Sequence, residues 1–508
     1  MDRMQPNWEE DKRQMKGQLE GLWRDVEAFA HDGAAVHEVE RHLFRKVLGL
    51  GFALLGYFFR LPGQGDQGAQ VALEDGRVLR RMDGVRARRY LSVFGEFVLS
   101  RYVYGEREKQ AQEYIPLDAR LQLPEGVHSY LWQEWSQALA VHFSFEQVVE
   151  VLGNLLGWKT GVSALERTNR AMAESAADYW RQTPAAPAPE GEFVVVSADG
   201  KGVPMRKPAT APSIHAHDGH RGPAKDGKKM AIVGAAYDAQ AQVRTAEDVL
   251  QSLFRSPLEP KAPADAAEAR KKPIAKAVRA SLTQAANDGE INARDVVFPW
   301  LGEQVRQRDP SGLKPVVVVM DGQVCLWGDA RAALEGRTRV EVLDFLHVTE
   351  RLWELAHLFD EPAQHRLKMD GYVFMLLNGQ VRELTAWFRH QAKARPLSPA
   401  DRKKVEAVCG YFENNWGRMR YDEYLAAGYP IASGVIEGAC RHVVKDRLER
   451  TGMHWTVDGA QAMLQLRCIA INQQWEGFTA FRARRESERL YPHNTLYEVE
   501  DWPIPQAA

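Results

Sequence analysis

Two aspartates, Asp199 and Asp321, each follow a short apolar run rich in β-branched residues, and each precedes a glycine. Runs of this kind are typical of buried strands, so both carboxylates are predicted to end strands at one edge of a sheet. Gly200 and Gly322 would let the backbone turn and a ligand approach. Two carboxylates at one sheet end are the oxygen ligands from which proteins build divalent-metal sites.

A third carboxylate, Glu437, lies about one turn into a predicted helix for which Ser433 is a suitable N-cap. Small neighbours such as Gly434 would allow close approach to a sheet, and Arg441 shares the helix face of Glu437. Taken alone, an Asp-Gly pair is more often a simple turn, and such a glutamate is more often solvated and paired with the nearby arginine. The pattern by itself therefore leaves both interpretations open.

Composition sets broad limits on the protein. The chain has 508 residues, which favours about three domains, and its net charge of -2 says little about partners. Its four cysteines form no Cys-x-x-Cys pair, which argues against disulfides or structural zinc and favours a reducing compartment. The N-terminus is unlike a signal peptide. The longest apolar run, 47–59, is shorter than the ~20 residues of a membrane span, so it predicts a core helix and no membrane contact.

The order of elements predicts an α/β fold. Three sequential strands, and two more reached through helical crossovers, imply a mixed five-stranded sheet with flanking helices. The predicted strands are 192–198, 203–207, 230–240, 315–320 and 339–345, with mostly helical structure over 246–307. The predicted segments are an N-terminal helical region 1–70, a basic β-like segment 71–124, a helix-turn-helix-like unit 125–181, a Pro/Ala-rich linker 182–190, a first core part 191–347, a helical insertion 348–425, C-terminal core helices 426–490 and a tail 491–508.

Basic residues concentrate near these elements and are candidate contacts to DNA. The second helix of the 125–181 unit would also present Asn169 for contacts to bases. A solvated surface, or simple helix packing in that unit, is the alternative interpretation. The candidates are Arg80, Arg81, Arg86, Arg88 and Arg89 in the β-like segment, Arg167 and Arg170 in the helical unit, Lys201, Lys228 and Lys229 around the first aspartate, and Arg441, Lys445 and Arg447 after Glu437.

Together, residues 197–200, 319–322, 343–347 and 429–440 resemble DDE transposases of bacterial insertion sequences, specifically the ISKra-type. The similarity continues through 444–455 and 461–467. It implies an RNase H-like core with Asp199, Asp321 and Glu437 as the catalytic triad and with 348–425 as a helical insertion. Relatives often carry a Cys-x-x-Cys pair after a Tyr-rich strand. Residues 100–106 contain no cysteine, which implies that any zinc-supported DNA-binding element is absent or rebuilt without metal.

The resemblance also implies a reaction and its partners. The enzyme would cleave double-stranded DNA at transposon ends and transfer the 3′ ends to target DNA, as a homodimer or higher synaptic assembly in the cytoplasm, associated with the nucleoid. Two Mg²⁺ ions, with Mn²⁺ as a substitute, would be bridged by Asp199, and Asp321 and Glu437 would each hold one. Asp344 and His347 form an accessory signature that would position the scissile phosphate. Alternatively, they fix the strand-to-helix turn, with Asp344 accepting from His347.

Three other interpretations remain compatible with the residues. One is a transposase-derived DNA-binding protein without activity, and another is a different RNase H-like nuclease. The third is a glycosidase-like hydrolase that uses two carboxylates. Metal dependence separates the glycosidase, because chelation with EDTA would leave its activity intact.

Overall fold

In the computed structural model, which describes residues 8–106, 113–185, 190–206, 227–253, 271–286 and 289–492, the chain divides into two units. One comprises Met1–Ala171 with Trp475–Ala508, and the other comprises Met172–Gln474. The division thus falls ahead of the predicted linker, and the last helix groups with the N-terminal residues. Parts of several predicted segments lie outside the described residues: 1–7 of the N-terminal helical region, 107–112 of the β-like segment, 186–189 of the linker, 207–226, 254–270 and 287–288 of the first core part, and the tail from 493.

Two long helices, Trp8–Asp32 and Val36–Arg60, open the first unit and pack on each other, as the sequence predicts. Within the described parts of the chain, Val36–Arg60 is the one helix long and apolar enough to cross a membrane by length and composition alone. Its only buried side chain is Phe59, which contacts Phe97 and Tyr90. The prediction of a core helix is therefore wrong, because the elements packed on it leave its other side chains exposed or half-buried.

The strands of the first unit form two small antiparallel sheets. They are β1 Gln70–Ala72, β2 Val78–Arg81, β3 Arg86–Ser92, β4 Gly95–Arg101 and β5 Tyr104–Gly105. The pairing orders are β1-β2-β5 and β3-β4. The Asp83-Gly84 turn therefore leads from β2 of one sheet into β3 of the other. The remaining helices are Pro116–Leu121, Tyr130–Ala140, Phe145–Leu156, Val162–Ala173, whose end passes into the second unit, and Trp475–Leu490.

A mixed five-stranded sheet forms the centre of the second unit, which makes this unit α/β as predicted. Its strands are β6 Phe193–Pro204, β7 Lys228–Ala239, β8 Ile274–Leu282, β11 Val316–Met320 and β12 Arg339–Leu343, while β9 Gln284–Ala286 and β10 Gly289–Ile291 form a separate hairpin. The order across the sheet is β12-β11-β6-β7-β8. Strands β11 and β12 run parallel to β6, and β7 runs antiparallel to both β6 and β8.

Two of the five strands differ from the prediction. The stretches 192–198 and 203–207 are one continuous strand, β6, because pairing with β7 extends through Pro204. The third sequential strand is β8, within a region predicted to be helical. Its alanine, lysine and arginine residues favour a helix locally. The nine-residue segment is nevertheless a strand, because it pairs with β7 at the edge of the sheet and packs against the helix Val457–Ile471.

Helices cover the sheet and account for most of the region after β12. All five residues of β11 are buried in a core that includes the helices following β12. These are mainly the predicted insertion helices. The helices of this unit are Ala176–Gln182, Ala246–Leu253, Ala293–Arg308, Val324–Ala333, Phe345–Phe359, His365–Leu377, Val381–Ala394, Pro399–Asn415, Tyr421–Ala426, Gly434–Ala439, Asp446–Leu448 and Val457–Ile471, with 3₁₀ turns at Pro362–Gln364 and Trp416–Arg418 and a π-helical turn at Cys440–Lys445.

A buried ion-pair network ties β7 to the chain leading into β11. The fully buried carboxylate of Asp238 accepts from Arg308 Nη1 at 2.8 Å and from Lys314 Nζ at 3.0 Å. Arg308 is itself buried and ends the helix Ala293–Arg308. Because a buried charge is costly unless it is paired, this network depends on all three residues.

Candidate functional site

The first carboxylate, Asp199, lies within β6 and not at its end. Strand β6 continues past it, opposite β7, whereas the parallel pairing of β6 with β11 stops at Val196. The prediction that Asp199 and Gly200 end the strand is therefore wrong. The side chain of Asp199 is half-buried, and its Oδ2 accepts from Cys440 Sγ at 3.5 Å.

The second carboxylate, Asp321, directly follows β11, as predicted. Strand pairing aligns Val316 of β11 with Val194 of β6. Counting on in the same register puts Asp321 opposite Asp199. Burial raises the pKa of Asp199, and the negative charge of Asp321 raises it further. The two groups are therefore close enough to repel each other.

The turn at Asp321 is held from two directions. Asp321 Oδ1 accepts from the backbone N–H of Gln323 at 3.0 Å, and its carbonyl oxygen accepts from Trp327 Nε1 at 2.8 Å. On the other side the ring of Tyr411 packs against Gly322, where an added Cβ would lie 2.6 Å from Tyr411 Oη. Gly322 is thus required by a close side-chain contact. The sequence offered no signal for Tyr411, which lies in an insertion helix far along the chain.

The third carboxylate, Glu437, projects from the short helix Gly434–Ala439, which packs on β6 and β7. Glu437 is exposed, and its carboxylate lies within 4.8 Å of ligand atoms of Asp344 and His347. Partial desolvation of its carboxyl group and the charge of Asp344 raise the pKa of Glu437, and the charge of Asp199 contributes to the same shift. Among the described residues, the ligand atoms grouped with Glu437 are those of Asp344 and His347, and Asp199 and Asp321 are not in that group.

Asp344 holds the start of this helix in place. It is fully buried, caps the helix Phe345–Phe359 by accepting from Leu346 N at 3.1 Å, and accepts from both the backbone N–H and the hydroxyl of Ser433. The prediction that Ser433 caps its own helix is wrong, because its hydroxyl is bonded to Asp344 instead. The cross-link joins the end of β12 to the Glu437 helix across 89 residues of sequence.

His347 lies at the rim of the same cluster. Its Nε2 is 3.7 Å from Asp344 Oδ2, beyond hydrogen-bond distance, and its Nδ1 is 3.2 Å from Glu350. Burial opposes protonation of His347, but the charges of Asp344 and Glu350 outweigh it and raise its pKa. The raised pKa favours protonation of His347, and a protonated imidazole beside Glu437 could contact an anionic group.

A π-helical turn, Cys440–Lys445, follows the Glu437 helix and changes which residues share a face. The carbonyl oxygen of Val443 accepts from the buried Arg467 at 2.8 Å. Cys440 faces Asp199, and because burial raises the pKa of its thiol, the thiol is protonated and donates to that carboxylate. The contact between Cys440 and Asp199 was not part of the sequence interpretation, since a single cysteine carries no such signal.

Within the π-helical turn Arg441 and Lys445 are exposed, whereas Arg447, which follows the turn, is buried. Arg447 is 1% exposed and stacks 5.0 Å from the ring of Trp455. The structure therefore contradicts Arg447 as a contact to DNA. The extra residue in the turn shifts the helical periodicity, which the sequence interpretation assumed to be uniform.

The predicted basic residues around β6 lie in the same unit as the carboxylates. Lys201 follows Asp199 on β6, and its charge acts on Cys440. Lys228 is exposed and forms an ion pair of 2.6 Å with Glu449, and Lys229 is half-buried next to it on β7. Lys201 and Lys229 are therefore better placed than Lys228 to contact an anion.

In the first unit the predicted arginines differ in how accessible they are. Arg80 and Arg86 are exposed, and Arg81 and Arg89 form surface ion pairs with Asp66 and Glu96. Arg88 is half-buried and donates to Asp118 and to backbone carbonyl oxygens. Its donors stabilise this unit, so the structure contradicts Arg88 as a free DNA contact.

The helix-turn-helix-like region consists of Phe145–Leu156, a turn ending in the left-handed Gly157, and Val162–Ala173. The Ser144 cap is confirmed as a full capping box with Gln147. Arg167 and Arg170 are exposed as predicted. Asn169 is buried and donates to Gln137 at 2.9 Å, so its predicted presentation to bases is wrong.

Two comparisons with known proteins found no match. The chain matches no protein-family model, and no curated protein matches it. The function must therefore be argued from the geometry above.

Proposed function

We propose that the protein is a DNA transposase of an insertion sequence with an RNase H-like catalytic core. The observation that carries the proposal is that three carboxylates lie on adjoining elements. Asp199 lies on the central strand β6, Asp321 directly follows the neighbouring parallel strand β11, and Glu437 lies on a helix that packs on β6 and β7. The charge of Asp321 raises the pKa of Asp199, and the charge of Asp199 contributes to the raised pKa of Glu437.

The sheet supports the fold part of the proposal. Numbered along the chain, the five strands have the order 3-2-1-4-5, with the second antiparallel to the others. This is the arrangement expected of an RNase H-like core, and the helices between Phe345 and Asn415 occupy the place of an insertion before the Glu437 helix.

The donor set fits divalent metal ions. Asp199, Asp321 and Glu437 offer only hard oxygen ligands, which Mg²⁺ prefers and Mn²⁺ accepts. The raised pKa values of Asp199 and Glu437 reflect burial and like charge, a penalty that bound cations would offset. Such ions, when bound, neutralise charge that develops on the attacking and leaving oxygens of a phosphodiester.

Other residues of the chain would position these carboxylates and contact the DNA. Asp199 is fixed by β-pairing on β7 and by the Cys440 thiol. The Asp344–Ser433 cross-link positions Glu437. A protonated His347 would contact the phosphate. Arg80, Arg86, Arg167, Arg170, Lys201, Lys229, Arg441 and Lys445 supply exposed or half-exposed positive charge for DNA. A homodimer or higher synaptic assembly in the bacterial cytoplasm is part of the proposal.

The test uses purified protein and duplexes that carry the DNA flanking its gene. With Mg²⁺ or Mn²⁺ we expect 3′-end cleavage and strand transfer, and we expect both to vanish with EDTA or in Asp199→Asn, Asp321→Asn and Glu437→Gln. Asp370→Asn, which removes an exposed helix carboxylate, serves as the matched control. Full activity in the triad variants would refute the assignment.

The same assay separates the other interpretations. DNA binding without cleavage would indicate an inactive derivative of a transposase. Cleavage without strand transfer would indicate another nuclease. Activity on glycosides that survives EDTA would indicate a glycosidase.

A further inference from the structure

A second basic site lies where edge strand β12 meets the end of the insertion helix Pro399–Asn415. It is a cavity of about 550 Å³ whose lining includes five arginines but only one carboxylate, Glu341. We call this cavity the arginine pocket. None of its arginines belongs to the basic clusters discussed above. The arginines are Arg331, Arg337, Arg339, Arg418 and Arg420.

Glu341 organises the pocket from inside. It accepts two hydrogen bonds from Arg331, at 2.6 and 2.7 Å, and one from Arg418 at 2.8 Å. The guanidinium of Arg418 also stacks 4.4 Å from the ring of Trp327 and donates to Asn415. Arginine side chains held this way lose less entropy when they bind an anion.

The pocket retains an excess of positive charge after its ion pairs are counted. Arg337 is paired with Asp309, and Arg420 with Glu423. The charge of Asp422 also acts on Arg420, so five arginines face four carboxylates among the described residues. Arg339 lies 3.9 Å from Glu341, beyond hydrogen-bond distance. Positive walls around a concave site attract anions.

Phosphate oxygens fit the donors that remain. Arg331 uses one side of its guanidinium on Glu341, and Arg339 makes no close hydrogen bond there. Planar guanidinium groups bind phosphate through paired N–H donors more specifically than lysine does. Arg337 and Arg418 are mostly covered, and the other three arginines are more exposed, a mixture that suits a polymer passing over an open pocket.

The position of the pocket matches the spacing of a duplex. Arg339 begins β12, and Asp344 follows the end of the same strand, five residues later. At ~3.3 Å per residue this corresponds to roughly 17 Å. A DNA duplex rises ~3.4 Å per base pair, so a duplex with its scissile phosphate beside Glu437 would reach the pocket about five base pairs away, which is about half a helical turn.

We propose that the arginine pocket binds backbone phosphates of the DNA duplex about five base pairs from the cleavage point. The proposal rests on the proposed function for its position relative to the scissile phosphate. It adds a contact surface on the sheet edge and insertion that the other basic clusters do not supply.

The test measures DNA binding separately from cleavage. Full-length protein carrying Glu437→Gln is titrated with a fluorescent duplex in EDTA, from 50 to 200 mM salt, with and without Arg339→Gln and Arg420→Gln. The control is Arg366→Gln, which removes an arginine of similar exposure (56% against 50% for Arg420) from a helix. Thermal unfolding confirms that every variant is folded.

Loss of two phosphate contacts should flatten the slope of log affinity against log salt by about 1.8. Across this fourfold salt range, the parent protein should lose about 12-fold more affinity than the double variant. Arg366→Gln should keep the parent slope. A double variant with the parent slope would overturn the proposal.

Two further measurements fix the position and the ligand. In the cleavage assay, a neutral methylphosphonate placed about five base pairs from the cut should slow wild-type cleavage and leave the double variant unaffected. An equal effect on both proteins would overturn the predicted position. Inorganic pyrophosphate should compete only at concentrations far above that of the duplex. Tight pyrophosphate binding with an unchanged DNA slope would overturn the DNA assignment. Cleavage by the triad variants tests the proposed function alone. Its loss in those variants supports the proposed function, whatever salt slope the arginine variants show.

Discussion

The buried network at Asp238 allows a quantitative test of the second unit. Asp238→Asn removes the carboxylate that faces Arg308 at 2.8 Å and Lys314 at 3.0 Å. Lys314 is 18% exposed and reaches water, but Arg308 is 2% exposed and would keep only neutral acceptors, among them Gln304. Leaving one partner of a buried pair uncompensated costs about 3–5 kcal/mol. The unfolding constant should therefore rise by roughly 10²- to 10⁴-fold.

The assay is urea unfolding followed by hydrogen exchange of peptides from β7 and from the helix Ala293–Arg308, so that the second unit is measured by itself. Asp370→Asn breaks an exposed ion pair of Arg366 and should cost less than about 0.5 kcal/mol. Combining Asp238→Asn with Arg308→Met should recover much of the loss, because no charge is then buried alone. If Asp238→Asn costs no more than the surface control, the argument from burial is refuted.

Three further results are expected. Burial, with the charge of Arg167, lowers the pKa of His128 to about 4. The neutral His128 therefore contributes fully to stability above the ordinary pKa of 6.5, and this contribution is lost as the pH falls toward 4. In urea unfolding, His128→Phe should abolish a loss of stability at acid pH on the order of 2–3 kcal/mol. Ser144→Ala removes a capping box and should cost ~1 kcal/mol in the same measurement. Gly322→Ala would clash with Tyr411, and it should cost about 1–3 kcal/mol and reduce cleavage.

Each of these predictions has a matched control. His31→Gln changes a histidine that is 89% exposed and should leave the acid loss unchanged. Ser163→Ala, at an exposed position in the helix Val162–Ala173, should be nearly neutral. Tyr411→Leu in the Gly322→Ala background should restore stability, because the ring that clashes is gone. Equal behaviour of variant and control in any pair would contradict the corresponding explanation.

Local apolar patterning was enough to predict part of the central sheet. Strand β11 is a short, uninterrupted apolar run that is buried along its whole length, and β12 is buried over its last two residues. The helices after β12 likewise follow from their sequence. Asp321 was placed correctly because its strand ends where its apolar run ends.

The errors come from interactions that lie far apart in sequence. Gly200 and Gly202 suggest a turn locally, yet pairing with β7 keeps β6 extended past them. The hydroxyl of Ser433 has a distant acceptor in Asp344, which outcompetes its own helix. The burial of Arg447 depends on Trp455 and on the π-helical turn before it. None of these contacts has a sequence-local signature.

The position of Asp199 inside a paired strand limits how the gene can vary. Twelve consecutive residues of β6 are in register with β7, and side chains alternate between the two faces of the sheet. A single codon inserted or deleted between Phe193 and Asp199 would turn this carboxylate to the opposite face unless a bulge absorbed the change. We expect length variation to be tolerated in the loops between insertion helices and to abolish cleavage in this part of β6.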